Sequence, residues 1–365
     1  LRPSSVFLCL LAGPSAVPEQ YPMHLPATEW PLIQAPMAGV QNSALAIAAC
    51  KAGALGSLPA AMFSPDQLRS ELTAIRSATD RPFNVNFFCH SSPEPDPRAE
   101  ANWRECLAPY YREFGLGPAE STSGPARQPF DERALEVLEE FRPAVVSFHF
   151  GLPTPELLQR VKRLGCTVIS SATTVDEGTW LQEHGADAVI AQGVEAGGHR
   201  AIFLGDDLTT QVATMELVRQ LIESLEVPVI ASGGIADSTG VRAALALGAA
   251  AVQVGTAFLL CDEATTSKIH RAALSSEDAG HTALTNLFSG RPARGIVNRV
   301  MREQGPIKEG IPAFPLAGAA LTPLKMAAEA TGSGDFSSLW AGQDTSGCRA
   351  VPAAEIIAEL AKGCT

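Results

Sequence analysis

The sequence predicts an α/β protein in which eight parallel strands close into a (β/α)8 TIM barrel. Eight short apolar segments mostly alternate with segments of helical periodicity, which is typical of parallel strands joined by right-handed crossovers. No GxGxxG sequence follows the first strand, which weighs against an open Rossmann sheet. Two glycine-rich turns follow the last two strands, where TIM barrels commonly bind phosphate.

The predicted strands are short apolar runs that end in turn residues. They cover residues 32–35, 54–57, 83–88, 144–150, 167–170, 188–191, 229–231 and 251–254. Helical periodicity between them predicts helices at 43–51, 65–77, 155–164, 175–183, 210–225 and 241–247. Ser64 or Asp66, Thr154 and Thr174 are the expected N-caps, because their side chains can accept from free N–H groups of the first turn.

We predict a barrel over residues 29–265, with two additions to the plain fold. The connection after the third strand is too long, so we expect an inserted segment, at about 90–130, over the barrel mouth. We predict that residues 266–365 form a small helical lobe packed on the barrel. One of its helices is expected to start at Pro323 and to be capped by Thr322. Residues 1–28 are expected to form a disordered N-terminal extension.

Composition excludes several classes of function. The 365 residues are 46% hydrophobic and carry a net charge of −12, which argues against nucleic-acid and anionic-membrane partners. No apolar run reaches the roughly 20 residues of a membrane span. The eight cysteines form no CxxC or Cys/His cluster, so we expect no metal site and no redox pair. Buried, reduced Cys50, Cys166 and Cys261 would fit a cytoplasmic protein.

The two late turns predict a phosphate site. One is Ser232-Gly233-Gly234 and the other is Gly255-Thr256. Glycines let backbone N–H groups approach an anion closely, and the N-terminus of the following helix adds free donors. Two turns that need glycine only for their geometry are the alternative.

The predicted strand ends carry amides, histidines and small residues. No pair of carboxylates suits glycoside hydrolysis, and no lysine is placed for a Schiff base. A flat phosphorylated cofactor needs amides at its polar ring edge, apolar contacts on its ring face and N–H groups at its phosphate. FMN is therefore the expected cofactor.

Eight motifs, in chain order, resemble the nitronate monooxygenase family. They are QAPMAG, FNVNFF, VSFHFG, AQGVEAGGHR, ASGGIAD, QVGTAF, FSGRPARG and LWAGQ. The resemblance covers roughly residues 31–343, and GxEAGGH is its most specific part. It implies an FMN-dependent TIM barrel that oxidises alkyl nitronates, such as propionate 3-nitronate, with O2 to a carbonyl compound and nitrite.

The resemblance also assigns site residues. His199 matches the active-site histidine, and the side chain of His149 is a candidate for the substrate side. The positions that match flavin contacts are Met37, Asn86, Gln192, Gly197, Gly198, Gly233, Gly234, Gln253, Val254, Gly255 and Thr256. For Gln192 the alternative is an amide bonded to the backbone. For Arg200 the resemblance leaves open a charge that balances the phosphate, a charge that attracts substrate, and a solvated side chain.

Other functions stay open on sequence grounds. The main alternative is an FMN-dependent NAD(P)H reductase of the enoyl-ACP reductase or quinone reductase type, since the general FMN motifs do not discriminate. A non-catalytic flavin-binding barrel and a cofactor-free sugar-phosphate isomerase, with Glu195 as its base, are weaker alternatives. The expected partners are a small anionic nitronate and O2. The chain is compatible with a homodimer, but its sequence does not determine the oligomeric state.

Overall fold

A computed structural model describes residues 26–117 and 127–365, so the predicted extension lies largely outside the described residues. Its main sheet holds eight parallel strands in the order β1-β9-β8-β6-β5-β4-β3-β2, and a bridge between Ile33 and Leu55 joins the two end strands. The predicted TIM barrel is thereby confirmed. The strands are β1 Leu32–Gln34, β2 Gly56–Pro59, β3 Phe83–Phe88, β4 Val145–His149, β5 Thr167–Ala172, β6 Ala188–Gln192, β7 Gly198–His199, β8 Val229–Ser232, β9 Ala251–Val254, β10 Thr282–Thr285 and β11 Ala293–Ile296.

Helices surround the sheet and also build the parts outside it. They are α1 Ser43–Lys51, α2 Pro65–Ala78, α3 Pro97–Glu113, α4 Glu132–Phe141, α5 Pro155–Arg163, α6 Val175–Glu183, α7 Thr214–Ser224, α8 Ser238–Ala246, α9 Lys268–Leu274, α10 Arg299–Gln304, α11 Thr322–Ala330 and α12 Ala353–Ala361. Among the residues that the structure describes, no helix is both long and apolar enough to cross a membrane.

Side-chain caps explain where several helices begin. Ser64 accepts from the Gln67 N–H while the Gln67 side chain accepts from the Ser64 N–H, a complete capping box at α2. Thr174 accepts from the Glu177 N–H at α6, as predicted. The predicted cap at Thr322 is wrong, because this residue is already helical and its hydroxyl donates to the Gly318 carbonyl.

The C-terminal part is not purely helical, which corrects the prediction for 266–365. Strand β11 pairs antiparallel with β10 on one side and with β7 on the other, so the lobe and the loop after β6 share a sheet. β10 and β11 are only four residues each, too short for a clear alternation of apolar and polar residues. Helix α12 leaves the lobe and packs on α1 of the barrel.

The segment after β3 packs on the lobe through α3. Trp103 is buried against lobe residues, and its indole Nε1–H donates to the Ala317 carbonyl at 3.0 Å. The Tyr111 hydroxyl donates to the Ala320 carbonyl at 2.7 Å. Two distant stretches of sequence therefore form one lobe with a common apolar core. Residues 118–126 of the predicted insert lie outside the described residues.

Replacing Trp103 should destabilise the protein strongly. The side chain is 1% exposed, and Trp103→Ala leaves a large cavity and an unpaired Ala317 carbonyl. We expect the free energy of unfolding to fall by about 3–5 kcal/mol, measured by urea denaturation. The control Met326→Ala removes a side chain that is 68% exposed and should change it by less than about 0.5 kcal/mol. Equal midpoints for the two variants would contradict this account of the lobe.

Candidate active site

A cleft opens at the carboxyl ends of the barrel strands and encloses about 1300 Å³, counting the part open to solvent. Every site residue predicted from the sequence lines it. These residues are Met37, Asn86, His149, Gln192, Gly197, Gly198, His199, Gly233, Gly234, Gln253, Val254, Gly255 and Thr256. The structure thus brings together residues from six of the eight barrel strands and the loops that follow them; their contacts with a ligand stay predictions.

The loop after β8 can hold an anion. Gly233 and Gly234 have φ angles of 121° and 64°, which disfavour side chains, and a Cβ on Gly233 would lie 2.8 Å from the Thr214 hydroxyl. The N–H groups of Gly234 and Ile235 donate to no other described residue. Asp237, however, caps α8 through the Gly240 N–H. The loop N–H groups are therefore free to bind an anion, and the cap uses one of the donors predicted at the helix N-terminus.

An unpaired acceptor beside this loop fits a ligand rich in hydroxyl and N–H groups. Gln253 Oε1 is buried and accepts from no described residue, while its Nε2 lies 3.4 Å from the Ser232 hydroxyl. A buried amide oxygen without a donor costs free energy unless a bound molecule supplies one. Together with the N–H groups of the loop, it makes a set of donors and an acceptor that could bind a phosphorylated ligand.

His199 is held by the lobe. Its strand β7 pairs with β11, and its Nε2 lies 2.9 Å from the hydroxyl of Ser289. The Ser289 hydroxyl also lies 3.2 Å from the Arg291 carbonyl, to which it can donate. In that arrangement the His199 Nε2–H donates to Ser289, and Nδ1, which has no described partner, is the basic nitrogen. Sequence reasoning missed Ser289, although it lies in the FSGRPARG motif.

The imidazole of His199 is kept neutral. Burial holds the pKa of His199 well below its ordinary value, and the positive charges of Arg127 and Arg291 act in the same direction. A neutral imidazole can accept a proton or hydrogen bond through one nitrogen while it donates through the other. The site can therefore bind or deprotonate an acidic group without first losing a proton of its own.

Aromatic side chains pack around the ring of His199. The ring centroids of Phe88, Phe150 and Phe314 lie 6.4, 6.1 and 5.3 Å from that of His199. Phe150 has a φ of 70°, which is unusual for a residue with a large side chain and is found mostly at functional sites. His149 Nε2 lies 3.2 Å from the His199 carbonyl, and burial lowers the pKa of His149 to about 4. The predicted substrate-side residue thus also positions His199.

Three predicted flavin contacts already have protein partners. Gln192 accepts from the Ala201 N–H and donates to the His199 carbonyl, which agrees with the backbone-bonded alternative. Asn86 Nδ2 donates to Ser147, and the Met37 N–H donates to the Gln41 side chain. One amide hydrogen of Gln192 is uncommitted in these bonds, so a ligand contact there stays a prediction.

Two charged residues of the loop after β6 are structural. Arg200 is fully buried and donates to the carbonyls of Gln192 and Gly193 and to the side chain of Gln211. It is therefore neither solvated nor free to contact a ligand, which resolves the alternatives left open for it. Glu195 accepts from the N–H and hydroxyl of Thr214, so it is not placed as a base.

The described residues, 26–117 and 127–365, contain no group of three His, Cys, Asp or Glu side chains able to hold a metal ion. Cys50, Cys166 and Cys261 are buried and unpaired, as predicted. Burial raises the pKa of each of these three thiols to about 11, so they are poor nucleophiles.

Known proteins resemble the chain over most of its length. The family described as "Nitronate monooxygenase" matches residues 21–363. Nitronate monooxygenases of Pseudomonas aeruginosa and Paraburkholderia phytofirmans are 42% and 41% identical over 90% of this chain, and the matches cover 95% and 91% of those proteins. Nitroalkane oxidase from Streptomyces ansochromogenes superposes with a TM-score of 0.83 at 38% identity, over 92% of this chain and 97% of that chain. FabK from Thermotoga maritima superposes less well, with a TM-score of 0.66 at 27% identity over 93% and 94% of the two chains.

Acid should destabilise the protein through its buried histidines. Burial lowers the pKa values of His90, His149 and His270 to about 4, whereas an unfolded histidine titrates near 6.5. Between these pH values the unfolded chain binds more protons than the folded protein. The stabilising contribution of these histidines is therefore fully present above about pH 6.5 and is lost as the pH falls toward 4. We expect the thermal midpoint to fall less between pH 7.5 and pH 5 in His270→Leu than in the wild type.

The control for this measurement is His281→Asn, because His281 is exposed. It should show the pH dependence of the wild type. An unchanged fall of the midpoint in His270→Leu would mean that His270 takes up its proton in the folded protein as easily as in the unfolded chain.

Proposed function

The chain belongs to the nitronate monooxygenase family, and from this premise we propose that it oxidises alkyl nitronates with O2 to a carbonyl compound and nitrite. The observation that carries the proposal is the His199–Ser289 pair, which faces the same cleft as an anion-binding loop and an unpaired amide acceptor. An anionic substrate beside the histidine and a phosphorylated cofactor beside the loop would use all three features.

The cofactor is a flavin, and we propose that it is FMN. The loop N–H groups of Gly234 and Ile235 would hold its single phosphate, and the unpaired Gln253 Oε1 would accept from one of its hydroxyl or ring N–H groups. A bound flavin supplies the ring that accepts electrons from the nitronate and passes them to O2. The free donors of the loop and the unpaired Gln253 acceptor support FMN as the cofactor.

The chain's own residues bind and orient the nitronate. His199 lies in the cleft with Nδ1 uncommitted, and it can hold an oxygen of the nitro group once it carries a proton. A bound nitronate raises the proton affinity of His199, because its negative charge opposes the burial and the two arginines that lower the pKa. The rings of Phe88, Phe150 and Phe314 exclude water, which strengthens this interaction.

Replacing the histidine should reduce turnover without loss of cofactor. We expect His199→Asn to lower kcat/KM for propionate 3-nitronate by at least about 100-fold, because asparagine cannot take up a proton. The assay follows oxygen uptake and nitrite release, and flavin content is measured on the same samples. His281→Asn is the matched surface control and should keep the activity of the wild type. Undiminished turnover in His199→Asn would remove this residue from the mechanism.

The absorption spectrum of the purified protein tests the cofactor. We expect flavin bands, and chromatography of the released flavin should identify FMN. Adding a nitronate in air should give oxygen uptake and nitrite. A protein that cannot be loaded with flavin, or one whose flavin is bleached by NADH but which does not oxidise nitronate, would contradict the proposal; the second result would favour a reductase.

A further inference from the structure

Arg127 places an uncompensated positive charge in the cleft. The residue lines the cleft, and its guanidinium carbon lies 5.6 Å from the centre of the Phe314 ring. It forms no ion pair with any carboxylate of the described residues. Burial lowers the pKa of Arg127 from its ordinary value, which shows that its charge is only partly solvated. Burying such a charge without a counter-ion costs free energy.

Arg291 adds a second positive charge around the same ring. Its guanidinium carbon lies 4.3 Å from the centre of the Phe150 ring and 5.9 Å from that of Phe314. Its Nη1 is buried without a hydrogen-bond partner among the described residues. The negative charge of Glu177 raises the pKa of Arg291, but this carboxylate already accepts from Thr173 and from the backbone N–H of Phe203.

His90 completes the group. It is 5% exposed, its ring centroid lies 4.9 Å from that of Phe314, and neither ring nitrogen has a described hydrogen-bond partner of normal geometry. Arg127 and Arg291 therefore offer unused donors around Phe314, which itself touches His199, and His90 packs on the same ring. Among the described lining residues the one acidic side chain is Asp344, and it accepts from Ser346.

The missing anion is not the flavin phosphate. The free N–H groups that would hold the phosphate lie after β8, whereas Arg127 lies in the segment between β3 and β4 and contacts Phe314. Moreover, Arg127 packs on Phe314, whose ring centroid lies 5.3 Å from that of His199, so the guanidinium lies on the His199 side of the cleft. An anion at this place would belong to the substrate.

We propose that Arg127, supported by Arg291 and His90, forms a second anion subsite that binds a carboxylate on the tail of the nitronate substrate. This inference rests on the proposed function, because it takes the nitronate itself to bind at His199. Arg127 is a specificity-determining residue: it makes the enzyme prefer a dianionic nitronate over one with an apolar tail of the same length. Arg291 reinforces the positive potential from the face of the Phe150 ring.

The first test compares two substrates with equal carbon chains, propionate 3-nitronate and propane 1-nitronate. We expect Arg127→Gln to lower kcat/KM for propionate 3-nitronate by about 10- to 100-fold, as for loss of a charged hydrogen bond, and to leave propane 1-nitronate within about threefold. Arg127→Lys should retain part of the preference, because it keeps the charge. Arg133→Gln, an exposed arginine of α4, is the control and should change neither value. Equal losses for both substrates would overturn the subsite.

The second test needs no turnover. Succinate resembles propionate 3-nitronate in length and charge, and butyrate lacks the second charge. Calorimetric titration of the flavin-loaded protein should show succinate binding at least about tenfold more tightly than butyrate, and Arg127→Gln should abolish the difference. Equal affinities in the wild type would refute the subsite. A preference for succinate in a protein that oxidises neither nitronate would support the subsite and reject the proposed function.

Discussion

The pairing of Gly198–His199 with Ala293 and Arg294 determines the form of the cleft, because it ties the barrel to the lobe at His199. A two-residue strand has little stability of its own, so its position depends on the strand it joins. Arg294 reinforces the junction by donating to the Val194 carbonyl on the loop after β6. Ser289, which precedes β11 by four residues, thereby comes within reach of the His199 ring.

Charge is distributed unevenly in this molecule. The chain carries a net charge of −12, yet Arg127 and Arg291 surround a histidine in a cleft with little acidic compensation. The same two charges that suppress protonation of His199 attract an anion, and the anion then makes protonation easier. His199 is therefore prepared to take up a proton when a negatively charged substrate binds and to remain neutral without one.

The sequence predicted the barrel well because its strands are short, apolar and regularly spaced. It also identified the glycine turns, since Gly233 and Gly234 adopt φ angles that few other residues tolerate. It could not predict the lobe sheet, because β10 and β11 are short and β11 pairs with β7, almost a hundred residues away in the sequence. The sequence did not predict the role of Ser289 for the same reason, because its contact with His199 exists only after the lobe has folded.

The arginines show most clearly what a sequence leaves open. Arg200 follows His199 directly and was a candidate for ligand binding, but the carbonyls of Gln192 and Gly193 and the side chain of Gln211 accept from its guanidinium. Arg127 lies in a polar loop that carries no motif, and it is the one that reaches the cleft with its charge unpaired. The difference lies in the partners and not in the residue type. A buried arginine whose donors are all used supports the backbone, whereas one with donors to spare is placed to bind an anion.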